Sequence, residues 1–491
     1  MLLTPIILIP LIAGLACLLA RSRRVMAGLN ALAFAIALAL GIRLLHQVLA
    51  AGVVVEWSEF LYADALSAWM VLLISTVSLG TSLYSGRYFD RDLEARVITK
   101  SRVREFFVLT PLFGTGMFFV VLANNLGMMW FALEATALSS VLLVALYNRG
   151  TSLEAAWKYI ILGSLGLALA LFATVFTYAA AASQPAAEKL PSFNWSHFMA
   201  MAPQLDHRLI KLAFVFAFIG YGTKAGLAPM HTWLPDAHSE APSPTSAMLS
   251  GVSLKIALYA LLRFHILTTH CLNSAFSRTL LLYFGLFSMF LAVPFILVQT
   301  NLKRLLAYSS LEHVGLICAA IGMNTSVTIF GALLHMGYHA LTKPVLFFAA
   351  GNIHQAFHTM ELRLIGPGVV KLLPMTGLFM GLAAAAATGL PPFGLFYSEM
   401  TVISGGFAAS KTWISVLILV AVVGAFCGIL KQLSGILLGT PAEKPASETL
   451  RWDGAPAMAL LLGGLLIFSV WLPAPVFQLI ERAAGIIGGK T

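Results

Sequence analysis

Apolar runs of about 20 residues, separated by short polar stretches, recur along the whole chain. Each run is continuously apolar, which suits a helix surrounded by lipid or other helices and not an alternating barrel strand. A run of that length reaches across a hydrocarbon layer of about 30 Å. About fourteen spans are predicted, near 3–20, 26–48, 65–85, 106–123, 126–147, 157–181, 209–233, 244–267, 279–298, 305–323, 327–350, 372–400, 411–433 and 455–474. The expected fold is an all-α polytopic membrane protein.

Charge fixes an expected orientation. The first run has no basic residue before it and is followed by Arg21, Arg23 and Arg24, the reverse of a signal peptide, so the N-terminus is expected outside. Alternate loops then hold about 18 Lys and Arg against about 9 in the opposite set, as cytoplasmic loops should. An even number of spans puts both termini outside a bacterial cytoplasmic membrane. The longest outward stretch, Ser183 to Arg208, and an inward linker, Pro441 to Ser447, contain proline and no soluble domain.

Composition agrees. Hydrophobic residues are 59% of the 491, charged residues 10%, and the mean hydropathy is +0.89. A soluble chain needs about a quarter of its residues charged. The net charge of +10 follows from the loop bias, so a nucleic-acid partner is not expected and a lipid bilayer is. Cys17, Cys271, Cys318 and Cys427 stand far apart, whereas clusters and haem attachment need grouped ligands. No redox cofactor is expected in this chain.

Two spans are interrupted alike, by Gly226-Leu227-Ala228-Pro229 and by Gly389-Leu390-Pro391-Pro392. A glycine and proline in mid-span free backbone groups, which is tolerable only facing protein or a water-filled cavity. Paired breaks point to an ion site in repeat-built transporters. The expected organisation is therefore residues 1–105 as a three-helix segment, 106–268 and 269–433 as two inverted five-helix repeats, and 434–491 as a linker, last span and tail.

Ionisable residues stand where lipid-facing helices cannot tolerate them. A charge at a helix centre costs at least about 2.5–3.5 kcal/mol on insertion scales. Glu134, Lys224, Lys255, Glu312, His313 and Glu399 all lie within predicted spans. His335, His339 and Lys343 recur at four-residue spacing and so form one stripe on one helix face. Individually these have ordinary explanations: Glu134 with Lys224 as a structural ion pair, Lys343 as a group reaching an interface. Folding requires no such row through the middle of the layer. Proton transfer does, because each site must hold and release a proton, and histidine titrates near neutral pH unaided.

The same chain positions admit other chemistry. His335 and His339 at i,i+4 have zinc-chelating spacing, but no carboxylate or cysteine stands on that face and a lysine continues it, so no metal is expected. His231, Asp236, His238 and Glu240 crowd one end of the seventh span, either as a proton-uptake funnel or as capping and solvated loop residues. His354, His358 and Glu361 fit a solvated loop.

At Lys224-Ala225-Gly226-Leu227-Ala228-Pro229-Met230-His231-Thr232-Trp233-Leu234-Pro235-Asp236-Ala237-His238 and Ala307-Tyr308-Ser309-Ser310 the chain resembles the antiporter-like subunits of respiratory complex I, Mrp-type cation/proton antiporters and group 4 membrane-bound hydrogenases. Within that family Glu134 to Ser140, Tyr147-Asn148-Arg149-Gly150 and Pro235 to Pro244 look most like the hydrogenase-4 component F type. The resemblance implies that Glu134 and Lys224 are a coupling pair, Lys255 a central proton carrier, Glu399 an exit-side carrier, and His313, His335 and His339 connecting groups. It further implies a subunit that makes no bonds itself. Other membrane subunits and a peripheral redox arm holding Fe–S and Ni–Fe centres would be its partners. No long lateral helix like that of the largest complex I subunit is expected after the fourteenth predicted span, a departure from that subunit's pattern. The rivals are a sodium-moving antiporter module, which needs clustered oxygens where this chain has several lysines, and a non-conducting scaffold, which would tolerate loss of every buried charge.

Overall fold

A computed structural model describes residues 1–183, 192–441 and 454–489. The linker expected from Pro441 to Ser447 lies almost wholly outside the described residues, as does the middle of the stretch from Ser183 to Arg208. The described chain is helical apart from one hairpin. Its first part comprises α1 (Leu3–Leu19), α2 (Arg23–Ala51), β1 (Val54–Glu56), β2 (Leu61–Ala63), α3 (Ala65–Glu94), α4 (Lys100–Leu122), α5 (Leu126–Val144), α6 (Gly150–Ala182) and α7 (Trp195–Ala200). The middle comprises α8 (His207–Ala225), α9 (Trp233–Glu240), α10 (Ser243–Met248), α11 (Leu254–Leu272), α12 (Phe276–Val298), α13 (Leu302–Met323) and α14 (Ser326–Phe357). The last part comprises α15 (Leu362–Ile365), α16 (Val369–Leu372), α17 (Pro374–Ala387), α18 (Gly394–Ala408), α19 (Thr412–Leu437), α20 (Ala455–Val470) and α21 (Ala474–Gly488).

By length and apolarity, 9 of the described helices can cross a membrane, or 10 if α20 and α21, bent by 80°, form one span. The helices that miss this criterion include α14, interrupted by His335, His339 and Lys343, and the halves on either side of each break. The chain is thus a multi-pass helical membrane protein.

Burial runs against apolarity. The stretch from α10 through α11 and the helix α13 are almost wholly enclosed, although they carry Lys255, Glu312 and His313. The more apolar α2 and α19 are only 33% buried over their most apolar stretch. That inversion is expected where the outer helices meet lipid and polar groups are confined to the interior. α14 lies at the centre, packed on α3, α10, α13, α17, α18, α20 and α21.

Small residues let the inner helices close on one another, as in membrane helix packing generally. A β-carbon on Gly285 would lie 2.5 Å from the Ala319 backbone nitrogen and 2.6 Å from the Gly315 carbonyl oxygen, so α12 and α13 meet backbone to backbone. The same holds for α6 and α8, where a β-carbon on Gly220 would stand 2.5 Å from the Gly166 carbonyl oxygen.

The hairpin between α2 and α3 ties distant segments. Glu56 at the end of β1 accepts hydrogen bonds from the backbone of Leu2, Leu3 (3.0 Å) and Thr4 (3.1 Å) and from the Thr4 hydroxyl (2.7 Å). It therefore satisfies the free N–H groups that begin α1. Burial pushes its carboxyl pKa up, but these four bonds outweigh burial and hold it below the usual glutamate value.

Candidate functional site

Both interruptions are realised as helix ends. α8 stops at Ala225 because Gly226 takes φ +77, and Trp233 opens the next helix. Gly389, at φ +67, follows α17, and the chain passes Pro391 and Pro392 before α18 starts. Gly226, Pro229, Pro391 and Pro392 therefore sit between helix halves, as the sequence pattern requires.

Each break holds a charged side chain beside it. Lys224 lies in the last turn of α8, where the negative end of the helix dipole favours a cation. It is fully buried, donates to the Tyr159 hydroxyl and lies 4.5 Å from the centre of that ring. Tyr159 shares a 2.8 Å hydrogen bond with Ser140 and stacks on Trp233 with centroids 4.4 Å apart. Glu134 is half-buried and accepts from Ser164 at 3.3 Å. No ion pair of 4.0 Å or less joins it to Lys224 among the described residues. Tyr159 reaches Lys224 in its place.

A second group surrounds Lys255. Residues Leu249–Ser253 form one wide π-turn ahead of α11, which upsets the ordinary backbone pairing. The Lys255 ammonium donates to the Ser250 carbonyl at 2.6 Å and lies 2.5 Å from His339 Nδ1. From there the rings continue. His339 and His313 have centroids 4.8 Å apart, and His313 Nδ1 lies 3.0 Å from His335 Nε2. His335 Nδ1 meets the Ser398 hydroxyl at 2.9 Å, and Glu312 Oε2 lies 3.2 Å from His313 Nδ1. Glu399, from α18, places a carboxylate oxygen within 4.8 Å of ring nitrogens of both His313 and His335. Lys343 is also fully buried, bonded to Ser309 Oγ (2.7 Å) and the Leu306 carbonyl (3.1 Å).

The structure thus brings Lys255, His339, His313, His335 and Glu399 into one succession, with Glu312 alongside. It does not join this succession to Lys224 or Glu134 by any hydrogen bond among the described residues. The stripe on α14 divides: His335 faces α13 and α18, His339 faces α11, and Lys343 returns to α13. The sequence argument against a metal fails at one point, since carboxylates absent from α14 arrive from α13 and α18.

The crowded segment after the first break also divides. Asp236 is a surface clamp, bonded to Lys158 of α6 at 3.0 Å and to Arg304 of α13. His231 is buried beside Tyr308, with ring centroids 6.4 Å apart. His238 is fully buried, stacked on Phe347 at 5.0 Å, and neither ring nitrogen has a partner among the described residues. His354 and His358 line two cavities of about 330 and 180 Å³ that also touch Asp92, Glu240 and Lys303.

Sequence reasoning missed Tyr159, Ser140, Ser398 and one buried ion pair. Arg263 of α11 binds Asp64 in a fork of 2.6 and 2.9 Å, both side chains no more than 3% exposed. An arginine eight residues past a mid-span lysine is the only signal the chain offers.

Residues 123–424 match the family profile described as NADH:quinone oxidoreductase/Mrp antiporter, transmembrane. The chain belongs to this family. It is 36% identical over 435 residues to a hydrogenase-4 component F homolog of Methylacidiphilum infernorum, covering 87% of this chain and 89% of that one. It is 29% identical over 386 residues to NADH-quinone oxidoreductase subunit M of Escherichia coli K12, covering 76% and 73%. Among solved structures it is similar to a chain of the Mrp complex from a Dietzia species, with a TM-score of 0.87 and 18% identity, covering 100% and 97%. At that identity the likeness is one of fold.

Proposed function

We propose that this chain moves protons through the bacterial cytoplasmic membrane as the non-redox subunit of a membrane-bound hydrogenase of the hydrogenase-4 or formate-hydrogenlyase type. The observation that carries the reading is the close succession of Lys255, His339, His313 and His335, with a Glu399 carboxylate oxygen within 4.8 Å of the last two, through the enclosed helices α11, α13, α14 and α18. Neighbouring titratable groups within hydrogen-bond or ring-contact distance permit stepwise proton transfer, and a scaffold has no use for them.

In this reading Lys224 and Glu134 form the coupling pair, with Tyr159 holding the lysine in the present arrangement. Lys255 is the central carrier, the three histidines connect it onward, and Glu399 releases. Lys343, on α14 and bonded to Ser309 and the Leu306 carbonyl of α13, tunes the same row. The fourteen spans, the two inverted repeats and the placement of both termini outside belong to this proposal, supported by the matching breaks and the charge bias of the loops. Fe–S and Ni–Fe centres would lie in a peripheral arm, because the four cysteines of this chain stand apart. The 36% identity with the component F homolog supports the hydrogenase assignment.

The fold likeness to a chain of an Mrp complex keeps a second reading, a cation/proton antiporter or complex I-type subunit. Purification with native partners and mass spectrometry decides between them. A nickel–iron large subunit in the preparation supports the hydrogenase reading, and sodium-dependent pH changes in proteoliposomes without a redox partner would overturn it.

A further inference from the structure

The succession of side chains contains a cluster with a second chemical capacity. His313, His335 and Glu399 are buried, come from α13, α14 and α18, and offer one ligand atom each within 4.8 Å of one another. Glu312 Oε2 is 3.2 Å from His313 Nδ1, a fourth potential donor at the same point. We propose that these residues form an intramembrane zinc site, with His313, His335 and Glu399 as ligands and Glu312 or a water completing a tetrahedron.

Three features of the molecule carry this. The first is the donor set: two imidazoles with carboxylates suit zinc, whereas magnesium and calcium prefer oxygen alone. The second is space. A cavity of about 10 Å³, near the room one water centre needs, is bounded by Glu312, His313, Thr388 and Glu399. The third is unmet bonding. Glu312 Oε1 is buried without a partner, and no side-chain hydrogen bond to Glu399 occurs among the described residues. Buried polar atoms in native proteins are normally satisfied, so such a concentration points to a ligand.

Geometry is within reach. Bonds of about 2.0–2.1 Å in a tetrahedron put ligand atoms roughly 3.3 Å apart. His313 and His335 already stand at 3.0 Å. The separation of up to 4.8 Å closes by a movement of about 1.5 Å, which the glutamate can supply because nothing fixes its carboxylate. The break after α17 makes the approach possible, since a β-carbon on Gly389 would collide with Glu399 Oε2. Zinc needs unprotonated imidazoles, so it displaces the proton between His313 and His335. Occupancy therefore blocks proton passage at this point, a consequence that rests on the translocation reading, whereas binding itself does not.

The test uses the full chain purified in detergent, titrated with ZnCl2 against a chelating indicator and examined by zinc K-edge absorption. One zinc per chain is expected, with nitrogen and oxygen ligands and no sulfur. His335→Gln and Glu399→Gln should each weaken binding at least 100-fold, while their thermal transitions without zinc show that they fold. Less than one zinc per chain at micromolar metal, sulfur ligation, or undiminished binding by folded His335→Gln overturns the proposal. A failure of the translocation reading would look different: Lys255→Ala would pump normally while zinc still bound.

Discussion

Replacing Asp64 with asparagine should be among the most damaging single changes outside the proposed proton row. The side chain keeps its shape and its role as N-cap of α3, where it accepts from Ser67 N at 2.9 Å. What disappears is the charge opposite Arg263, whose guanidinium also binds Ser67 Oγ (2.9 Å) and Tyr259 OH (2.8 Å) and lies 4.4 Å from the Trp195 ring. Unit charges about 4 Å apart attract by about 4 kcal/mol at an effective dielectric near 20. Stranding one buried partner typically costs about 3–5 kcal/mol. That corresponds to roughly a 10²- to 10⁴-fold faster inactivation in detergent, if the loss falls on the folded state. The assay is the inactivation half-life of the purified assembly, with abundance in the membrane as a second readout. Asp64→Asn combined with Arg263→Met removes both charges and should recover most of the loss, with pumping intact. A single variant as durable as the parent refutes the energetics. A double variant that assembles fully but pumps nothing refutes the structural role and places Arg263 in the proton route.

Three further changes probe separate parts of the account. Tyr159→Phe removes the hydroxyl between Lys224 and Ser140, a loss of about 1–3 kcal/mol for the stranded donor. Proton pumping should fall several-fold at unchanged subunit abundance, and normal pumping would show that Tyr159 does not hold Lys224. Gly285→Ala should destabilise by about 1–3 kcal/mol by forcing α12 from α13, whereas Gly463→Ala, which meets nothing within 4 Å, should be neutral, both read as inactivation rates. Glu56→Gln tests the cap on α1. The folded carboxyl titrates below the ordinary glutamate value of 4.5, so the stability it contributes is fully present above that pH and is lost as pH falls through the folded value. The difference in thermal transition between parent and variant should accordingly shrink on acidification below pH 4.5, and a constant or growing difference contradicts the cap.

The elements were legible in the chain because lipid solvation writes itself as uninterrupted apolar runs, and glycine and proline mark where helices stop. Lys224, Lys255, Glu312, His313, His335, His339 and Glu399 were legible as anomalies for the same reason. Their partners were not. His313 meets His335 across two helices, and Lys255 meets His339 from 84 positions away, pairings that no local spacing encodes. The four-residue spacing on α14 placed three groups on one face but gave no sign that α11, α13 and α18 divide them. Tyr159 was hidden because a tyrosine in an apolar helix is unremarkable until a lysine reaches it. Asp236 was open to two readings, part of an uptake funnel or a solvated loop residue, and only the fold shows it held at the surface by Lys158 and Arg304. Asp64 and Arg263 are 199 positions apart, and each looks ordinary near the end of a predicted span.

The relay itself is tested most directly at Lys255. The assembly is reconstituted in sealed vesicles, and redox turnover and internal pH are followed together for the parent and for Lys255→Ala. Removing the ammonium parts Ser250 from His339 and cuts the succession at its start. Electron transfer by the partner subunits with no proton movement is the predicted result. An unchanged number of protons moved per electron would contradict it.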